Sequence, residues 1–294
     1  MIDMNEFSSI NQLISKAESQ GKSVADIMIE QEVNTSGLTY EKVWQKMERN
    51  LSTMESAVKE GVEGVESTTG LTGGDAFKMK RYIESGRGLS GDLTLHAICY
   101  AVSTNEVNAA MGQICATPTA GSAGVVPGVL FAMKESHPEF THEDMVKFLF
   151  TAGAFGMVVA NNASISGAAG GCQAEVGSAS AMAAAAVTEM AGGSPEMCAH
   201  AFSIALKNML GLVCDPVAGL VEVPCVKRNA AGASNALTAA DMALAGIKSR
   251  IPADEVVEAM FKIGLTMPSQ LRETGRGGLA ATPTGERIKE ELFG

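Results

Sequence analysis

The chain has 294 residues, 46% of them apolar and only 5% aromatic, with a formal net charge of −11. That length is enough to bury a substantial core as one large domain or two ordinary ones, and alanine, glycine and methionine have to do much of the packing. The acidic balance shows no basic footprint of the kind that nucleic-acid or anionic-membrane binders carry, which sets those partners aside.

The opening MIDMNEFSSI has no basic start followed by an apolar run, so no secretory signal is expected and the cytoplasm is the expected compartment. Ile10, Leu13, Ile14 and Ala17 recur at helical spacing. Val43, Met47, Leu51, Met54 and Val58 repeat the pattern behind Thr39, a predicted N-cap. Residues 1–66 thus read as a peripheral helical lead-in to a single domain spanning 1–294. STTGLTGGD (Ser67–Asp75) then breaks the periodicity with glycines and hydroxyls, as a linker or a ligand loop does.

From Leu93 onward the chain is alanine-rich and helical in pattern. In ATPTAGSAG, Thr117, Thr119, Gly121 and Ser122 offer hydroxyls and backbone amides in a small-residue turn, which can cradle a carboxylate or phosphate. A helix connection capped by hydroxyls is the plainer reading. Thr141 with Asp144 predicts a capping box. Phe148–Ala174 is a stretch of 27 residues without a charge, long enough to cross a bilayer. Asn161, Asn162, Ser164, Ser166 and Gln173 interrupt it, so it reads as the interior of a soluble protein. Buried asparagines need partners, supplied by a polar ligand or by an internal network.

Ser194 and Pro195 start a helix with the stripe Cys198, Ala201, Phe202, Ala205, Leu206 and Met209, which Gly211 is predicted to end. Pro252 opens another, with Val256, Val257, Met260 and Phe261 on one face. β-Branched runs such as VVPGVL and GMVVA are few and short. The fold class is therefore all-α, a multi-helix domain with few or no strands.

Six cysteines remain to be sorted. Structural disulfides are rare in the cytoplasm. Cys99, Cys115 and Cys198 read as core thiols. Cys172, Cys214 and Cys225 each stand beside a glycine or proline that breaks regular structure and can turn a sulfur toward a common point. Their spacing, C-x41-C-x10-C, is not the short run of a zinc ribbon or ferredoxin. Spacing alone leaves metal ligation, a Cys214–Cys225 disulfide and simple burial open. Three thiolates on an iron–sulfur cubane would leave one iron without a protein ligand, free to act as a Lewis acid.

NEVNAAMGQICATPTAGSAGVVPG, ANNASISGAAGGCQAEVG and GLVCDPVAGLVEVPCVKRN together resemble the alpha chain of bacterial iron–sulfur L-serine dehydratases. The likeness extends over nearly the whole chain, including TGLTGGD and LRETGRGGLAATPTG. It implies an all-helical catalytic domain, a [4Fe–4S] cluster on Cys172, Cys214 and Cys225, and β-elimination of water from L-serine to give pyruvate and ammonium. The SSHT motif of the family's beta module is absent, which implies a separate beta chain and a hetero-oligomer. The ending KEELFG has no cysteine to cover the free iron.

The candidates for the α-proton base are His96, Glu106, Asp215, Lys227 and residues of the beta chain. Each has a plainer structural reading: Glu106 and Asp215 as caps or pairs, Lys227 with Arg228 as a solvated basic pair. Thr117, Thr119, Gly121, Ser122, Asn161 and Asn162 are the candidate substrate contacts. The rivals are an iron–sulfur L-cysteine desulfidase, a zinc-stabilised helical scaffold, and a pyridoxal-phosphate dehydratase using Lys78 and the TAGSAG loop. The last needs a strand-rich α/β frame and leaves the three loop cysteines without a role.

Overall fold

The computed structural model describes residues 6–294. The reading of the extreme N-terminus falls partly on residues 1–5, outside the described residues. Helices α1 (Ile10–Gln20), α2 (Val24–Ser36) and α3 (Tyr40–Val62) start behind Ser9, Ser23 and the predicted Thr39, whose hydroxyls accept the N–H of Gln12, Asp26 and Lys42. Each such cap satisfies a donor that the first helical turn leaves without a partner. Ile10, Leu13, Val24, Ile27 and Leu51 are buried in the same apolar cluster as the helices that follow.

After the glycine-rich loop come α4 (Asp75–Glu84) and α5 (Asp92–Ala109). Helix α6 (Val125–Ser136) lies so close to α5 that a Cβ on Gly128 would stand 2.9 Å from Ala97 O and from Ala101 Cβ. VVPGVL is therefore helical, with Pro127 in the first turn, where its missing N–H is no loss. Helix α7 (His142–Asn162) opens on the predicted Thr141–Asp144 capping box. The polar break after it leads to a single turn, α8 (Gly167–Gly170), then to a π-helical turn over Gln173–Gly177 that continues into α9 (Ser178–Met190).

Every residue of α9 from Ser178 to Thr188 is buried. Helices α6, α7, α10 (Pro195–Asn208) and α11 (Cys225–Leu244) surround it. A helix that is apolar or small on all sides belongs at the centre, and its alanines let these neighbours approach closely. Phe155 of α7 and Phe202 of α10 stack at 5.2 Å between ring centroids beside it. Helices α12 (Ala253–Thr266) and α13 (Pro283–Phe293) complete thirteen helices, and no strand occurs among the described residues. Two isolated bridges, Glu66 with Gly73 and Cys214 with Arg272, are the extended pairings there. Among the described residues no helix is long and apolar enough to cross a membrane.

Two sequence expectations need correction. Helix α10 starts behind Ser194 as predicted but ends at Asn208, because Met209 N–H already bonds Leu206 O in a tightened last turn. Gly211, at φ +85°, shapes the next turn instead. On α12, Val256, Val257 and Met260 are buried but Phe261 is 40% exposed, one residue and so about 100° around the helix from Met260.

Candidate active site

Three chain breaks bring Cys172, Cys214 and Cys225 into one region. Gly171 (φ +77°) ends α8 and leads into Cys172, the residue before the π-turn. Cys214 lies in the irregular stretch after α10, and Cys225 is the first residue of α11, behind a cis Val223–Pro224 peptide. All three are buried free thiols. Burial pushes Cys172 up to about 11, while the Arg228 guanidinium beside it pulls the other way. Burial and the Cys172 sulfur push Cys225 up to about 12. Cys214 is raised by burial, then by Glu175, Cys172, Glu273 and Cys225. Cys172 acts on both Cys214 and Cys225, and Cys225 on Cys214, so the three sulfurs are near neighbours. Yet among the described residues no three His, Cys, Asp or Glu side chains could hold one metal ion.

Arg228, one turn along α11 from Cys225, locks the Cys214 loop. Its Nη1 donates to Val213 O at 2.8 Å and its Nη2 lies 2.8 Å from Asp215 Oδ1. Asp215 Oδ2 accepts Leu279 N–H at 2.7 Å. The backbone of Cys214 is also held, by Cys214 N–H to Leu271 O at 2.8 Å and Glu273 N–H to Cys214 O at 2.7 Å. Glu175, on the π-turn, joins the site from the inside. Its Oε1 accepts Thr119 Oγ1–H at 2.7 Å, and the Cys214 thiol donates to Oε2 at 3.7 Å. Burial raises its pKa. A Cβ on Gly167 would stand 2.5 Å from Glu175 Oε2 and 2.9 Å from Cys214 Sγ, so this corner admits no side chain. Buried soft donors with an adjacent carboxylate and guanidinium suit an iron–sulfur cluster better than a hard cation.

A family model described as serine dehydratase alpha chain matches residues 19–280. The chain belongs to that family. It is 68% identical over 98% of its length to a probable L-serine dehydratase alpha chain of Bacillus subtilis (strain 168), covering 96% of that protein. It is 43% identical over 96% of its length to the L-serine dehydratase alpha chain of Peptoniphilus asaccharolyticus, covering 97% of it. L-serine dehydratase TdcG of Escherichia coli (strain K12) is 35% identical over 94% of this chain, which covers 62% of that longer protein.

Within this serine dehydratase alpha chain fold, the predicted residues separate. Glu106 is fully buried and caps α4, its carboxylate accepting Asp75 N–H at 2.9 Å and Ala76 N–H at 3.1 Å. Lys227 is exposed and pairs with Asp75 at 2.5 Å. Asp215 is the clamp on Arg228 and Leu279. His96 lies on another face, with Cys99 and Tyr100, at a separate cavity of ≈260 Å³. Thr119 reaches the site through Glu175. Ser122 Oγ donates to Thr117 O at 3.0 Å, and Gly121 O accepts Asn229 Nδ2–H at 2.8 Å, so these residues brace the turn. Asn161 and Asn162 are exposed, contrary to expectation, because α7 reaches the surface at its end. Asn162 Nδ2 donates to Ser8 O and Val158 O, both at 2.8 Å. Lys78 is 74% exposed and paired with Asp75, and the strand-rich frame of the pyridoxal-phosphate alternative is missing from the described residues.

Glu175 was absent from the sequence candidates. Its signal is isolation: it is the single charged residue between Lys147 and Glu189.

Proposed function

We propose that this chain is the catalytic subunit of a cytoplasmic L-serine ammonia-lyase, forming pyruvate and ammonium by β-elimination of water. Cys172, Cys214 and Cys225 would hold a [4Fe–4S] cluster, and a separate beta chain would complete the hetero-oligomer. The observation that carries this reading is the set of three buried, unpaired thiols in a serine dehydratase alpha chain, with the Arg228 guanidinium beside Cys172 and the Glu175 carboxylate beside Cys214. When bound, such a cluster supplies a Lewis-acidic iron to assist loss of a hydroxyl group.

The chain's own residues prepare the site for that chemistry. The Arg228 guanidinium offsets negative charge at Cys172 and fixes the loop that bears Cys214. Burial of the thiols and of Glu175 keeps bulk water away from the region. With Glu106, Asp215 and Lys227 engaged in structural pairs, Glu175 is the carboxylate assigned to proton transfer, at Oε2. The alpha-chain naming of the relatives in Bacillus and Peptoniphilus supports a beta-chain partner.

Anaerobic co-purification with the beta chain, followed by iron, sulfide and pyruvate assays, tests the proposal. Iron and acid-labile sulfide are expected together with L-serine turnover that exceeds L-cysteine turnover. Alanine at any one of the three cysteines should remove the cluster; unchanged iron content in all three variants overturns the ligand set.

A further inference from the structure

The segment after α12 forms a wall of the cysteine site. It pairs with Cys214 through Leu271 O and Glu273 N–H, and Arg272 stands between those two contacts. The Arg272 side chain crosses to α8, where Nη1 makes a long, 3.5 Å contact with Ala169 O. The opposite end of that single turn is Gly167, which abuts Cys214 Sγ and Glu175 Oε2. One short turn thus separates the guanidinium's anchor from the thiol and the carboxylate.

Arg272 differs from Arg228 and Lys227, the cations on α11, and from Arg276 of its own segment, which is exposed. Arg228 is paired with Asp215, and Lys227 with Asp75. Arg272 forms no ion pair among the described residues, and its Nε is buried without a hydrogen-bond partner. The next residue, Glu273, is exposed in a left-handed backbone conformation (φ 61°) and does not pair with it. A guanidinium fork matches a planar carboxylate in two parallel hydrogen bonds. An amino-acid substrate brings one such group, and the other guanidinium of the site, Arg228, is already taken by Val213 O and Asp215.

We infer that Arg272 binds the α-carboxylate of the substrate, an inference that rests on the serine-deaminating function proposed above. Binding there orients the amino acid with its carboxylate toward the C-terminal segment and its β-carbon toward the cysteines. A purely structural role, capping the carbonyls of α8, is the competing explanation. The two differ in what they do to substrate choice.

The test compares L-serine with L-serinamide, which replaces the carboxylate by a neutral amide, in the holoenzyme with its beta chain. Wild type is expected to favour serine strongly in kcat/KM. Arg272→Gln should raise KM for serine about 10- to 100-fold and collapse the preference over serinamide. Calorimetric titration with glycine, which has the carboxylate but no hydroxyl to lose, should show affinity weakened by a similar factor. Iron content, measured on the same samples, should match wild type. Arg272→Lys keeps the charge without the fork, and should show a smaller loss of the same kind. If both variants retain the wild-type serine-to-serinamide ratio and glycine affinity, the inference is overturned, whether overall activity falls or not. If Arg272→Gln does not retain iron, the lysine variant decides by the same two readouts. A wild-type holoenzyme that forms no pyruvate from serine would instead sink the proposed function itself.

Discussion

Glu175 joins three parts of the molecule at one carboxylate: the Thr119 hydroxyl, the Cys214 thiol and the bare corner at Gly167. If it transfers the proton, Glu175→Gln should lower pyruvate formation about 10²–10⁴-fold with iron content unchanged, as an anaerobic assay with parallel iron analysis would show. Iron lost in step with activity would make it a structural support. Gly167→Ala tests the same corner by bulk. Its methyl would stand 2.9 Å from Cys214 Sγ, so the thiol has to move and iron content should fall even though no ligand is removed. That Cys172, Cys214 and Cys225 share one region was legible in the sequence, because glycine and proline breaks flagged them. Capping or pairing was the plainer reading of Glu106 and Asp215, but their partners were not legible, since these include backbone amides 31 and 64 residues away. Glu175 was hidden in a run of small residues whose helical pattern gives no hint of an acid held inward.

Helices in this fold are capped both locally and from a distance. The hydroxyl caps at Thr39 and Thr141 lie next to their helices and were readable from sequence. The distant ones were not: Asp254 accepts Ile10 N–H at 2.7 Å, and Glu189 accepts Val24 N–H at 2.6 Å and Ala25 N–H at 3.3 Å. These contacts tie α1 to α12 and α2 to α9. Helix positions thus followed from periodicity and local caps, while their arrangement depended on pairs that no local pattern encodes. Glu189→Ala should cost about 1–3 kcal/mol in urea unfolding, from the two helix-start donors Val24 N–H and Ala25 N–H left without their acceptor. The pH dependence has a definite sign. Burial raises the Glu189 pKa in the folded state. Its contribution is therefore full below the unfolded pKa and is lost as pH rises through the raised folded value. The stability advantage of wild type over the non-titrating Glu189→Gln should shrink across that window. An advantage that grows with pH would mean the hydrogen bonds outweigh the burial.

At the scale of the whole molecule, the site couples segments that are far apart in the chain. Cys172 leads into the central α9, Cys225 starts α11, and Cys214 is held between Arg228 and the segment that leads to α13. In the cluster-free chain, burial favours neutral thiols at all three positions, so they can pack without a metal. Loading of the proposed cluster would replace three protons by bonds to iron. Cluster assembly should therefore strengthen as pH rises, since each raised thiol pKa opposes ligation at low pH. It should also tie the three segments together and add to stability by mass action. Each kcal/mol gained raises Tm by about 2–4 °C for a chain of this size class. Calorimetry under anaerobic conditions should show a higher Tm for the loaded protein than for the same sample after chelation. Limited proteolysis should then cut first near residues 269–281, where the chain holds Cys214 mainly through its backbone. In Cys214→Ala, chelation should change neither readout. If loaded and chelated wild type melt and are cut identically, the three segments are fixed by helix packing alone, and the cluster binds a site already built.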